Sequence, residues 1–292
     1  MAMNAAVDAA VCLLLVGAAV FGVTAVSDPV ETGDSTRTDA AAETLATSTA
    51  TVEYSLRPGT GPVRGTPAAF PRENGSEFRR TTHGTLAGLL ARAAVATAGF
   101  GNDSLTGARD DFPRAVRGAV TGAFEASSLR VDAVWRPYPG STVGGRVGVG
   151  AKPPSAATVH AATLSVPSGV EPVPSSAADD FGTLASAVAE RTVEALVPPE
   201  AASLALRGDY PVSALMWHRY GRLGHELGVP VERDLRAENT TALNRRLADA
   251  LAPAVEADLR DRFESPEAAA EAVEVHRVRV VVRTWESDGR AA

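Results

Sequence analysis

Cysteine occurs once, as Cys12, in a chain of 292 residues. A single thiol excludes a disulfide scaffold and any zinc site built on cysteine ligands. Lysine also occurs once, as Lys152, so arginine supplies 27 of the 28 basic side chains. Aromatic residues make up only 5%. The formal charge of −7 and a pI near 5.3 argue against a nucleic-acid binder, because neutralising phosphates needs a basic face. Catalytic signatures are missing as well: the chain has no HExxH, no GxSxG nucleophile elbow and no GxxxxGK[ST] phosphate loop. What is present is enough to build a core. Hydrophobic residues reach 45% and charged residues 22%, which excludes wholesale disorder and leaves room for one large domain or two small ones.

The longest apolar run is Ala9 to Val26, AAVCLLLVGAAVFGVTAV, 18 residues without a charge. As a helix it would span about 27 Å, close to the hydrocarbon thickness of a bilayer. An anchor and a cleaved signal peptide compete for this segment. No Lys or Arg precedes it, as a signal peptide would require, although Val23-Thr24-Ala25 satisfies a small-residue cleavage rule. A carboxylate is costly in hydrocarbon, so Asp8 is expected at the interface or against a partner. It is either an ordinary flanking residue or the counterpart of the acidic residue near the start of pilin helices. The first arginine after the run is Arg37, so charge sets orientation weakly. Three sequons follow, at Asn74, Asn102 and Asn239, and favour an extracytoplasmic location for the rest of the chain.

Residues 27–44 carry no periodic apolar face and read as a flexible tether. Alternation then predicts strands over 45–57, 129–136, 143–149, 157–166 and 274–286. Short links between the middle strands imply an antiparallel meander. Helices are expected over 82–100, 110–127, 179–196, 212–227 and from Asn239 toward Phe263, with Pro253 kinking or dividing the last. Ser265-Pro266 reads as the start of one more short helix. The Pro137-Tyr138-Pro139-Gly140 turn and Ser141 are expected at the surface.

Five histidines form no close pair, and no metal site is expected. The glycines of Gly144-Gly145-Arg146-Val147-Gly148-Val149-Gly150 fit a bulged strand or hairpin rather than a phosphate loop. Asp110-Asp111 and Asp179-Asp180 stand at expected helix starts, where capping and the helix dipole account for them. The last strand is the most pointed feature. Val278, Val280 and Val282 alternate with Arg277, Arg279 and Arg283. The valines should enter the core. The arginines form either a solvated face or a docking ladder for an acidic partner or a neighbouring subunit.

Val7-Asp8-Ala9-Ala10 leading into CLLLVGAAV, Trp135-Arg136-Pro137-Tyr138-Pro139, Val159-His160-Ala161-Ala162-Thr163-Leu164 and Val166-Pro167-Ser168-Gly169 together resemble a family of membrane-anchored surface proteins of halophilic archaea. The arginine-rich, acidic composition agrees with a high-salt, GC-rich source, though codon bias alone would produce it. The resemblance implies a pilin-like accessory role in the envelope and carries no catalytic residue.

The expected architecture is α+β. A transmembrane helix over 1–26 and a tether over 27–44 lead to one extracytoplasmic domain over 45–292. That domain would hold about five mostly antiparallel strands packed by several helices. The expected function is a non-catalytic, membrane-anchored surface component with no cofactor and no nucleic-acid partner. A membrane-tethered ligand-binding domain is the alternative. A hydrolase whose site is assembled from distant segments is a third reading.

Overall fold

The computed structural model describes residues 24–26, 35–56, 75–100, 103–104, 111–124 and 127–286. The chain runs through β1 (Thr24–Val26), α1 (Thr36–Thr47), β2 (Thr49–Ser55), β3 (Arg79–Thr85), α2 (Leu86–Ala96), β4 (Gly99–Phe100), β5 (Asp103–Ser104) and α3 (Phe112–Ala123). It continues with β6 (Leu129–Trp135), β7 (Val143–Val149), β8 (Val159–Pro167), α4 (Phe181–Leu196) and α5 (Pro199–Arg207). The last elements are α6 (Val212–Leu227), α7 (Glu232–Arg236), α8 (Thr240–Arg262), α9 (Pro266–Ala272) and β9 (Arg277–Trp285).

Seven strands form the main sheet in the order β1-β8-β9-β6-β7-β4-β5, while β2 and β3 make a separate ladder. Every pairing is antiparallel. The protein is therefore α+β with a mostly antiparallel sheet. The order is not the meander that short links implied. β9 enters from the far end of the sequence between β6 and β8. In that central place both of its edges are paired, and its valines meet apolar partners on either side. Val280 lies opposite Ala133 and Leu164, and Val282 opposite Val131 and Ala162. Val278, Val280 and Val282 are all 0% exposed, as their alternation requires.

α2 covers the inner face of this sheet. Leu89, Leu90, Ala93 and Ala94 are fully buried. Alanines on the helix and Gly145 on β7 let the two backbones approach closely. A Cβ on Gly145 would sit 1.9 Å from the Ala94 carbonyl oxygen. α4 and α8 pack along each other, and their buried faces join the same continuous apolar cluster.

Several local expectations change. Residues 36–44 belong to a helix rather than a tether. In α1, Thr38, Ala41, Ala42 and Leu45 are buried at helical spacing, and Thr38 Oγ1 meets Thr284 Oγ1 of β9 at 2.5 Å. These side chains are small and weakly apolar, so they leave no visible stripe in the sequence. The helix expected from Thr82 starts at Leu86. Thr81 to Thr85 pair with β2, and Thr85 Oγ1 caps the helix by accepting from Gly88 N. α8 runs unbroken through Pro253. Pro253 and Asp249, whose carbonyl loses its helical donor, are both exposed, so water can satisfy that group. Thr24–Val26 close the expected anchor run as a strand on the outer edge of β8, which covers an otherwise open edge. The rest of the run, with Asp8 and Cys12, lies outside the described residues. Among those residues no helix is long and apolar enough to cross a membrane.

Candidate functional site

The outer face of the main sheet carries the chemistry. Alternation sends Arg130, Asp132 and Val134 of β6 to the side away from α2, and register aligns them with the outward residues of β7 and β9. Asp132 lies between Gly148 and Val281, and Val134 between Arg146 and Arg279. Arg130 lies opposite Arg283.

Asp132 is the hub. Arg130 grips it in a fork, donating from Nε to Oδ2 at 3.1 Å and from Nη2 to Oδ1 at 2.8 Å. Arg146 donates to Oδ1 at 2.9 Å, and Arg283 to Oδ2 at 3.0 Å. Burial pushes the carboxyl up, but the hydrogen bonds and charges of Arg130 and Arg146 outweigh it and hold the group below its usual range. The Arg130 side chain is 16% exposed and that of Asp132 9%, whereas Arg283 and Arg146 reach 36% and 63%. The inner pair is thus a part of the sheet surface, and the outer two guanidiniums lean on it while facing solvent.

The glycines of β7 make this arrangement possible. A Cβ on Gly148 would fall 2.1 Å from Arg130 Nη2 and 3.0 Å from Asp132 Oδ1, where the fork lies flat across the strand. A Cβ on Gly144 would fall 2.8 Å from Arg136 Cγ. Of the bulged strand or hairpin expected from this glycine pattern, the structure shows the hairpin: β7 pairs antiparallel with β6 in an unbroken ladder over Gly145–Val149, with Arg130 and Arg136 lying where side chains would otherwise stand.

Beside the hub is a cleft of about 560 Å³ whose lining includes Val134, Val281, Arg136, Arg146, Arg279 and Arg283. Asp132 is the sole carboxylate among the described residues that line it. The loop after β6 forms one wall, and while Pro139 and Gly140 at its tip are exposed, Tyr138 and Ser141 are not at the surface. Tyr138 is 3% exposed and Ser141 7%. Burial and the neighbouring Asp258 carboxylate of α8 hold the Tyr138 phenol well above its usual range. Trp135 Nε1 donates to the Val275 carbonyl at 2.8 Å and fixes the strand end.

The expected site residues are distributed unevenly. Arg279 and Arg283 converge on the cleft. Arg277 does not: its Nε donates to His276 Nε2 at 2.6 Å, and it borders a separate groove with Glu267 and Glu271. Asn239 is exposed and caps α8, accepting from Ala242 N at 3.3 Å. Asp8, Asn74 and Asn102 lie outside the described residues. Asp180 caps α4 through Thr183, whereas Asp111 makes an ion pair with Arg114 at 2.9 Å instead of a cap. The alternation of the last strand places it in the same sheet as residues 129–136, and the register of β6 with β9 agrees, but sequence reasoning did not gather Arg130, Asp132, Arg136 and Arg146 with Arg279 and Arg283 into one site. Alternation placed the β6 residues on one face, but nothing local set the register that puts Arg283 opposite Arg130 and Arg279 opposite Val134. No group of three or more His, Cys, Asp or Glu is placed to hold a metal ion among the described residues.

Fold and site together define an α+β protein with one sheet face buried under helices and the other open and arginine-bearing. Residues 7–285 match a family of unknown function (DUF7284), and the chain belongs to that family. No curated protein and no solved structure matches it.

Proposed function

We propose that this DUF7284 protein is a non-catalytic, pilin-like surface component of halophilic archaea. An apolar segment within Ala9–Val26 holds it in the membrane as a single-pass protein, and its C-terminal domain is extracytoplasmic. There it serves a pilus-type or secretion-associated assembly by docking an acidic partner on the open sheet face. The observation that carries the docking is the convergence of Arg279 and Arg283 with Arg136 and Arg146 around a cleft whose described lining holds one carboxylate. Such a field steers and orients an acidic partner. Support for the anchor comes from the uncharged apolar run that precedes β1. The cleft also favours the second reading, a membrane-tethered ligand-binding domain.

The test is co-purification from native membranes with mass spectrometry of the partners. The wild type should retain envelope subunits that an Arg279→Ser, Arg283→Ser double variant loses. Equal recovery by the two proteins would refute docking on this face. A chain lacking residues 1–23 should leave the membrane fraction after a carbonate wash, and its retention there would refute the anchor.

A further inference from the structure

We propose that the cleft over Val134 is a binding site for a phosphate monoester dianion; this rests on the reading of the arginine face as a docking surface and names the chemistry that docks. Three observations carry it. The first is charge balance. Arg130 and Asp132 form a bidentate pair that cancels within the sheet surface. The four guanidiniums of Arg136, Arg146, Arg279 and Arg283 line the cleft, and the one carboxylate among its described lining residues, Asp132, is shared by Arg146 and Arg283 with Arg130, so positive charge is left in excess. A compact group with two negative charges suits that excess better than a single carboxylate.

The second observation is register. Arg146 and Arg279 both lie opposite Val134, one on each flanking strand. Neighbouring strands are about 4.8 Å apart, so these two Cα atoms are roughly 10 Å apart across a short apolar floor. Arg136 stands two residues beyond Val134, just past the end of β6. An anion above Val134 would therefore meet guanidiniums from β7, from β9 and from the end of β6. Arginine presents paired N–H donors that match phosphate oxygens bidentately, and side chains anchored on strands hold that geometry better than loops do.

The third observation is preorganisation. Arg146 and Arg283 are already fixed by Asp132 at 2.9 and 3.0 Å, with their remaining N–H groups available. Arg136 lies flat where Gly144 has no side chain. Ordering these side chains is paid for in folding rather than at binding.

The experiment uses the full chain in neutral detergent. Calorimetry is run with phenyl phosphate, glycerol phosphate, short-chain phosphatidic acid and hexaglutamate. Phenyl phosphate should bind, and an Arg136→Ser, Arg279→Ser double variant should weaken it at least tenfold. Val134→Glu, which puts a carboxylate on the half-buried floor, should abolish binding while leaving the melting temperature near that of wild type. Arg245→Ser, remote on α8, should leave binding unchanged. Binding of phosphatidic acid but not glycerol phosphate identifies a lipid headgroup as the source, and binding of both identifies a soluble ligand. If hexaglutamate binds through Arg279 and no phosphate monoester does, the phosphate site is overturned and the acidic-partner docking stands. If neither binds, both are overturned.

Discussion

Replacing Asp132 with Asn should destabilise the fold and tighten anion binding at once. The substitution keeps one acceptor oxygen and removes the charge. Arg130 is the partner with most to lose, since both side chains of that pair are largely buried. Breaking a buried pair by removing one partner costs about 3–5 kcal/mol, and Asn recovers part of it through a neutral hydrogen bond. Arg146 and Arg283 are more than a third exposed, or close to it, and add about 0–1 kcal/mol each after solvent screening. The expected loss is therefore about 2–3 kcal/mol, which for a domain of this size lowers the melting temperature by roughly 5–10 °C. Thermal melts of wild type, Asp132→Asn, Arg130→Gln and the double variant would isolate the coupling, expected to exceed about 1 kcal/mol. The linkage has a definite sign. The folded carboxyl lies below its ordinary value of 3.8, so its stabilisation is complete above that value and is lost as pH falls through the folded pKa. Asp132→Asn should lack that acid-dependent loss. The cleft meanwhile gains one unit of net positive charge, so affinity for phenyl phosphate should rise. A variant that melts within about 2 °C of wild type would refute the hub, because 2–3 kcal/mol cannot hide in so small a shift.

Gly145→Val should prevent native packing, because its Cβ would lie 1.9 Å from the Ala94 carbonyl and α2 must move; a soluble variant with a wild-type melting temperature would contradict this contact. Val280→Asp should cost several kcal/mol, about the expense of a buried unpaired charge or its neutralised form, whereas Arg279→Ser should change stability by about 0–1 kcal/mol. Equal melting temperatures for those two variants would contradict the assignment of faces. Burial and the charge of Arg277 hold His276 below 6.5 despite Glu274 and Glu171, and burial with Arg222 and Arg219 does the same for His218. Protonation of either ring is disfavoured in the fold relative to the unfolded chain, so stability should fall as pH drops below 6.5, and His276→Gln should flatten that slope in melts between pH 5 and pH 7.5. Asn239 keeps Nδ2 available while Oδ1 caps α8, so intact mass of protein from its native membrane should show a glycan that Asn239→Gln removes.

Where the physics is local, the chain announced its own structure. Period-two alternation marked β6, β7 and β9 and assigned each side chain to a face, since a one-residue slip would drive arginines into the core. Asp180, Asn239 and Ser265 signalled helix starts because a side-chain oxygen two or three residues ahead of an unpaired N–H is itself a short-range interaction. Tertiary packing decided the rest. α1 is buried through threonine and alanine, too weakly apolar to announce a face until β9 supplies Thr284. Thr81 to Thr85 become strand rather than helix because β2 offers a ladder. The arginine cleft depends on residues 130, 146 and 283 meeting on one carboxylate. No local interaction links positions so distant. Only the insertion of β9 between β6 and β8, driven by burial of its valines from both sides, brings their charges together.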